Sequence, residues 1–182
     1  MPQVLVPLAD GFEEIEAISI IDICRRGGIH VITAGIDTTT CIGAHNIPII
    51  TDCLIGEIDT DVIDMIVLPG GWQGTQALAN NETVISILKQ MKHKDKHIGA
   101  ICAAPYALDK AGVLGEKFTC YPSIENKISS TGYVNDQPIV TTHKVMTSQG
   151  VGTAICFALE IVKTLKGDEI FEKLKIEILA EC

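Results

Sequence analysis

Aromatic residues are scarce in this chain. Phe, Trp and Tyr make up only 4% of its 182 residues, against 47% hydrophobic overall. The core must therefore be built from Ile, Val, Leu and Ala, the composition of parallel strands covered by helices on both faces. Positive charge is also in short supply. Lys and Arg number 14 against 23 Asp and Glu, for a formal net charge of -9. With no basic run, neutralisation of a phosphate backbone is excluded as a main role, so no nucleic-acid partner is expected. No apolar run approaches the roughly 20 residues of a bilayer-spanning helix, and no membrane partner is expected. The opening MPQVLVPLADG is too short for a signal peptide and lacks its basic flank; it reads as a first strand.

Metal and cofactor signatures are missing as well. The cysteines at Cys24, Cys41, Cys53, Cys102, Cys120, Cys156 and Cys182 form no C-x-x-C pair and no Cys/His cluster with zinc spacing. Scattered singly and odd in number, with no export signal, they are expected to be free thiols in a reducing cytoplasm. Neither G-x-x-x-x-G-K-[ST] nor G-x-G-x-x-G occurs. No metal and no cofactor is expected.

What is present is an alternation of apolar strands and amphipathic helices. Strands are expected at Val4–Leu8, His30–Ala34, Asp64–Leu68 and up to Cys102, with a weaker one at Phe118–Cys120 and a tight pair at Ile139–Thr141 and Val145–Thr147. Helices are expected at Glu13–Arg26, Thr75–Ala79, Glu82–Met91, after Cys102 as far as Gly112, at Thr153–Leu165, and after Asp168 as a cap. Residues 35–56 read as an irregular hairpin or edge excursion. The pattern predicts one α/β domain over residues 1–182, a three-layer sandwich with a mostly parallel sheet. In such sheets ligands sit beyond the carboxyl ends of the strands, which nominates Asp10–Glu16, Pro69–Gly74, Cys102–Ala104 and Ser148–Gly152.

Cys102 stands where a strand turns into a helix, with small residues, Ala100 and Ala104, two positions away on each side. A tight strand–nucleophile–helix turn needs that room. The helix N-terminus is expected to favour thiolate over thiol. The same residues also fit a buried structural cysteine. Glu16 lies in line with Ile20 and Ile23 on the apolar face of its helix, so its carboxyl is expected to be desolvated and its pKa raised. A protonated Glu16 can donate a hydrogen bond or pass a proton, whereas Glu13 and Glu14 read as charges complementing the helix dipole. Ile15 and Ile18 fall on the opposite side, which fits either a homodimer surface or scattered surface apolars. Gly70 and Gly71 allow backbone N–H groups to approach a ligand or an oxyanion, though alone they are a turn. His97 lies at the far end of the Cys102 strand and is not its base.

Four segments taken together resemble a known family: DGFEEIE at 10–16, DMIVLPGG at 64–71, AICAAP at 100–105 and TSQGVGTA at 147–154. They are similar, in order and over nearly the whole chain, to the ThiJ/PfpI superfamily, more closely to its Parkinsonism-associated deglycase branch and to the bacterial YajL-like proteins. The resemblance implies a flavodoxin-like fold, usually a homodimer, with a reactive, oxidation-sensitive cysteine. By matched position that cysteine is Cys102 and its acid is Glu16, with the backbone of Gly71 and Ala103 facing the site. It implies glyoxalase- or deglycase-type action on a small reactive carbonyl or glycated adduct, redox sensing, or chaperone activity. Two positions depart from some relatives, with Tyr121 in place of a His and Gln149 in place of an Arg. Both are expected to face the substrate. Ala103 stands where the peptidase branch has a His, which disfavours a Cys–His protease. With Tyr121 in place of the other His, Glu16 is expected to move protons alone or with water.

Overall fold

Alternation along the strands decides the layering. A computed structural model describes the whole chain, Met1–Cys182. In β1 (Gln3–Leu8), Val4, Val6 and Leu8 enter one apolar cluster and Leu5 another. In β6 (Met65–Leu68), Met65 and Val67 divide from Ile66 and Leu68 in the same way. Successive residues of a strand point to opposite faces, so strands apolar throughout need cover above and below. On one face lie α1 (Glu14–Arg26), α5 (Ala154–Lys166) and α6 (Asp168–Glu177), packed through Ile20, Ile23, Phe157, Leu159, Phe171 and Leu174. On the other lie α2 (Trp72–Asn80), α3 (Glu82–His93) and α4 (Pro105–Ala111), packed through Leu78, Leu88, Ala107 and Leu108.

The sheet is completed by β2 (His30–Gly35), β5 (Cys53–Leu54), β7 (His97–Ile101), β8 (Ile139–Thr142) and β9 (Val145–Ser148). Its seven strands run in the order β5-β2-β1-β6-β7-β9-β8, all parallel to their neighbours except β8, which is antiparallel to β9. The excursion at 35–56 contains a separate antiparallel pair, β3 (Thr40–Ile42) and β4 (Pro48–Ile50). This is the mostly parallel, flavodoxin-like arrangement that the sequence predicts. The chain builds from β1 outward to β2, then crosses back to β6, β7 and β9, so strand order reverses between β1 and β6. Ligands gather at such a switch point. No helix is long and apolar enough to cross a membrane.

Four expectations need correction. Phe118–Cys120 forms no strand. It makes a single bridge, Phe118 to Tyr133, and the Thr119 N–H is taken by Thr147 Oγ1 at 2.9 Å instead of by a ladder partner. The helix expected from Thr75 begins at Trp72, because Gly71 turns the chain with φ +84. Asp168 is the first residue of α6 rather than its cap, which is Gly167. The cysteines are not all free: Cys156 and Cys182 are joined, leaving five unpaired. Spacing along the chain hides this pair, since α6 must first fold back along α5 before the two residues meet.

Candidate active site

The carboxyl ends of β1, β6 and β7 each deliver one part of a single corner. Cys102 directly follows β7 and has φ +62, a left-handed conformation that costs a non-glycine residue roughly 1–3 kcal/mol. Its surroundings determine that conformation. The Cys102 N–H donates to the Ser148 carbonyl at 3.0 Å, its own carbonyl accepts the Tyr121 N–H at 2.9 Å, and the Ala104 N–H closes on Ile101 at 3.0 Å. Ala103 and Ala104 are buried beneath the turn. The side chain is thereby aimed back across the strand ends at Gly70, where an added Cβ would lie 2.6 Å from Cys102 Cβ and 2.6 Å from Glu16 Oε2. Only glycine leaves room for the thiol and the carboxyl to meet.

Glu16 arrives from the first turn of α1. Glu13 caps that helix, its Oε2 accepting the Glu16 N–H at 2.8 Å. With the backbone fixed, the Glu16 side chain enters the interior and is fully buried. Its Oε2 accepts the Gly70 N–H at 2.8 Å, while Oε1 has no hydrogen-bond partner. The Cys102 sulfur faces the backbone N–H groups of Gly71 and Ala103 as well as this carboxyl. Outside the corner, Trp72 packs edge-on to Tyr106 with ring centroids 5.2 Å apart. That contact ties α2 to α4, the helices that follow the two loops.

Burial pushes the Glu16 carboxyl up to about 7, against the opposing Gly70 N–H and Cys102 thiol. Burial, followed by the charge of ionised Glu16, pushes the Cys102 thiol up to about 12, with the Gly71 and Ala103 N–H groups opposing. This reverses the direction expected from a helix N-terminus. α4 starts only at Pro105, and exclusion of water outweighs its dipole. The two groups titrate as a unit. Ionising both would set two negative charges in one dry corner, so the pair releases one proton near neutrality and keeps the other. On sulfur, the retained proton can be donated to the Glu16 carboxylate. On Glu16, it leaves a thiolate facing two N–H groups and the carboxyl O–H.

A model of the DJ-1/PfpI family matches residues 2–164. The chain belongs to the DJ-1/PfpI family. The glutathione-independent glyoxalase DJR-1.2 of Caenorhabditis elegans is 37% identical over 167 residues, covering 91% of this chain and 89% of that protein. Protein DJ-1 homolog B of Arabidopsis thaliana is 36% identical over 171 residues, covering 92% of this chain but 39% of that protein. This chain thus spans about two fifths of the length of the first curated relatives it matches. The crystal structure of Drosophila melanogaster DJ-1beta superposes with a TM-score of 0.96 at 35% identity, over 100% of this chain and 99% of that one.

In this DJ-1/PfpI chain the corner brings together Cys102, Glu16, Gly70, Gly71 and Ala103, but not every residue singled out from the sequence. The Tyr121 ring lies beside Gly150, where an added Cβ would be 3.2 Å from Cδ2, and the residue is half-exposed. Its fixed contribution is the backbone N–H that holds Cys102. Gln149 turns away, its Nε2 donating to the Asn135 carbonyl at 3.2 Å. The residue beyond the end of β9 points toward the 135–138 loop, as its N–H bond to Pro138 also shows. His97 opens β7 at the end opposite Cys102. Sequence reasoning passed over Glu13 as a cap, because the preferred capping side chains are shorter. It also missed the Ser148 carbonyl, since a backbone acceptor leaves no mark in residue identity.

Proposed function

We propose that the chain is a cysteine-dependent stress-protection enzyme acting on small reactive dicarbonyls or their early adducts. The observation that carries the reading is the buried Glu16 carboxyl beside Cys102, with one of its oxygens, Oε1, unpaired. The C. elegans relative named a glutathione-independent glyoxalase supports the substrate class. With one proton between them, the Cys102 thiolate attacks an aldehyde carbon, forming the S–C bond, while Glu16 passes its proton to the carbonyl oxygen. The N–H groups of Gly71 and Ala103 stabilise the charge developing beside the sulfur. The Glu16 carboxylate then removes the C–H proton of the adduct and returns it to the neighbouring carbon, while the adduct's hydroxyl proton passes to that carbon's oxygen, giving a 2-hydroxy thioester. Water releases a 2-hydroxy acid and restores the thiol, and no external thiol is consumed. Lactate release from methylglyoxal without glutathione tests this. Cys102→Ala is expected to abolish it and Glu16→Gln to reduce it strongly, whereas normal release by Cys102→Ala ends the reading.

The same unpaired Oε1 favours a second role, oxidation sensing. An oxygen added to the Cys102 sulfur by a hydroperoxide would accept the Glu16 proton, satisfying both groups. Mass spectrometry after mild peroxide is expected to place oxidation at Cys102; oxidation spread evenly over the unpaired cysteines would sink this role. We further propose a homodimer through α1, where Ile15 and Ile18 are 55% and 46% exposed beside Ile47 and Ile155. Light scattering at micromolar concentration is expected to give twice the chain mass, and a monomer would refute it.

A further inference from the structure

The two cysteines outside the α1–β7 corner that are joined to each other lie at the surface. Cys156 is in the first turn of α5 and half-buried, and Cys182 is exposed. Their Cα atoms are 5.6 Å apart, within the ordinary range for a bridge. The unpaired Cys24, Cys41 and Cys120 differ: each is buried, and burial pushes their thiols up to about 12, 11 and 12. Thiols of that kind are inert, whereas a bridge with an exposed sulfur is open to attack.

Apart from the bridge, the segment is tied almost entirely to α6 itself. α6 is anchored by buried Phe171 and Leu174. Beyond it, Leu179 is 87% exposed with φ +56. The other ties are the Ile178, Leu179 and Ala180 N–H groups to the Leu174, Ile176 and Lys175 carbonyls, at 3.0, 3.1 and 3.0 Å. The Lys175 Nζ also donates to the Cys182 carbonyl at 2.7 Å, and Ile178 and Ala180 are partly buried against the core. The segment borders an apolar groove of about 640 Å³, whose wall includes Ile155, Glu177 and Ile178 opposite Ile15, Ile18 and Ile47. Ile155 adjoins Cys156, so the bridge staples the segment after α6 to α5 along one wall of the groove.

We propose that Cys156–Cys182 is a reversible thiol–disulfide site, a clasp that fixes residues 178–182 along the groove when oxidised and frees them when a dithiol reduces it. A thiolate of the dithiol attacks the exposed Cys182 sulfur. The bridge breaks, and Cys156 leaves as thiolate and takes a proton. The second thiol of the reductant then attacks the mixed disulfide and frees Cys182. Two electrons pass from the dithiol to the bridge, and the reductant departs as its own disulfide. The clasp works independently of any chemistry at Cys102.

Hydrogen exchange of the full chain with and without dithiothreitol, read by mass spectrometry, tests the clasp. In the oxidised chain, alkylation after denaturation is expected to label five of the seven cysteines, and all seven after reduction. Peptides covering 175–182 are expected to exchange roughly tenfold faster once reduced, while those of β1 and β6 stay unchanged. Cys182→Ser is expected to show the fast exchange without reductant and no response to it. Cys102→Ala is expected to respond like the unaltered chain. Oxidised glutathione is expected to restore slow exchange after the dithiol is removed. Labelling of all seven cysteines without reductant, identical exchange in both states, or failure to re-close would overturn the proposal.

Discussion

Glu16 Oε2 accepts the Gly70 N–H at 2.8 Å, and this one bond holds the buried carboxyl beside the Cys102 thiol. A loop after β6 therefore orients a side chain from α1 against a nucleophile after β7. The consequences are electrostatic, and they appear in stability as well as in reactivity.

The first is a stability cost that grows with pH. Burial raises Glu16 from an ordinary 4.5 to about 7. Between those values the folded chain holds more protons than the unfolded one, so unfolding free energy falls as pH rises through this window. Above pH 7 the full cost is on the order of 3 kcal/mol. Glu16→Gln keeps an acceptor for Gly70 and carries no charge. It is expected to be more stable than the unaltered chain at pH 8, with the difference closing near pH 4.5. Denaturant melts at both pH values measure it, and a difference independent of pH would show that the carboxyl is not buried as described.

Reactivity should carry the signature of a coupled pair. The rate of Cys102 alkylation is expected to rise with pH to an inflection near 7, where the pair loses its first proton, and then to level off. In Glu16→Gln that inflection should vanish, and the rate should climb into the range of the isolated thiol. Mass-resolved alkylation across pH 5–10 reads both. A wild-type profile with no inflection near 7 would mean that the two groups titrate separately.

The layered fold was legible because it rests on periodicity: Val4, Val6 and Leu8 alternate with Leu5, and Ile20 and Ile23 line one face of α1. Glu16 could be found by the same reasoning, as a carboxyl out of place in an apolar stripe. Cys102 was legible through the small residues that its turn requires. Its thiol was misread because a helix terminus is visible in sequence, while the water excluded by residues distant along the chain is not. Backbone donors and acceptors, such as those of Ser148 and Tyr121, and the long-range pairing of Cys156 with Cys182 depend on tertiary approach. No local pattern encodes them.

Gly70→Ala probes the room at the corner. The added methyl would lie 2.6 Å from Cys102 Cβ and 2.6 Å from Glu16 Oε2, both too close to tolerate. Either the thiol or the carboxyl must move. Overpacking of this kind costs roughly 1–3 kcal/mol. The substitution is expected to lower stability by about that amount, to remove the pH 7 inflection of Cys102 alkylation, and to suppress carbonyl turnover. Unchanged stability with an unchanged inflection would show that the Gly70 backbone is not where it is described.

Thr153 sets the loop that brings Ser148 to Cys102. Its Oγ1 bonds Ser148 Oγ at 2.7 Å, the Gly150 N–H at 3.1 Å and the Gly150 carbonyl at 2.8 Å. A hydroxyl can donate only one proton, so these contacts share it between Ser148 and Gly150 while Oγ1 accepts from the backbone. Thr153→Val preserves shape and removes the hydroxyl, leaving the Gly150 N–H and Ser148 Oγ short of a partner. The expected loss is about 1–2 kcal/mol in urea unfolding. Thr153→Ser, which keeps the oxygen and drops the methyl, should recover most of it. If Val and Ser cost the same, packing of the methyl rather than the hydroxyl network holds the loop, and the Ser148 carbonyl reaches Cys102 by strand pairing alone.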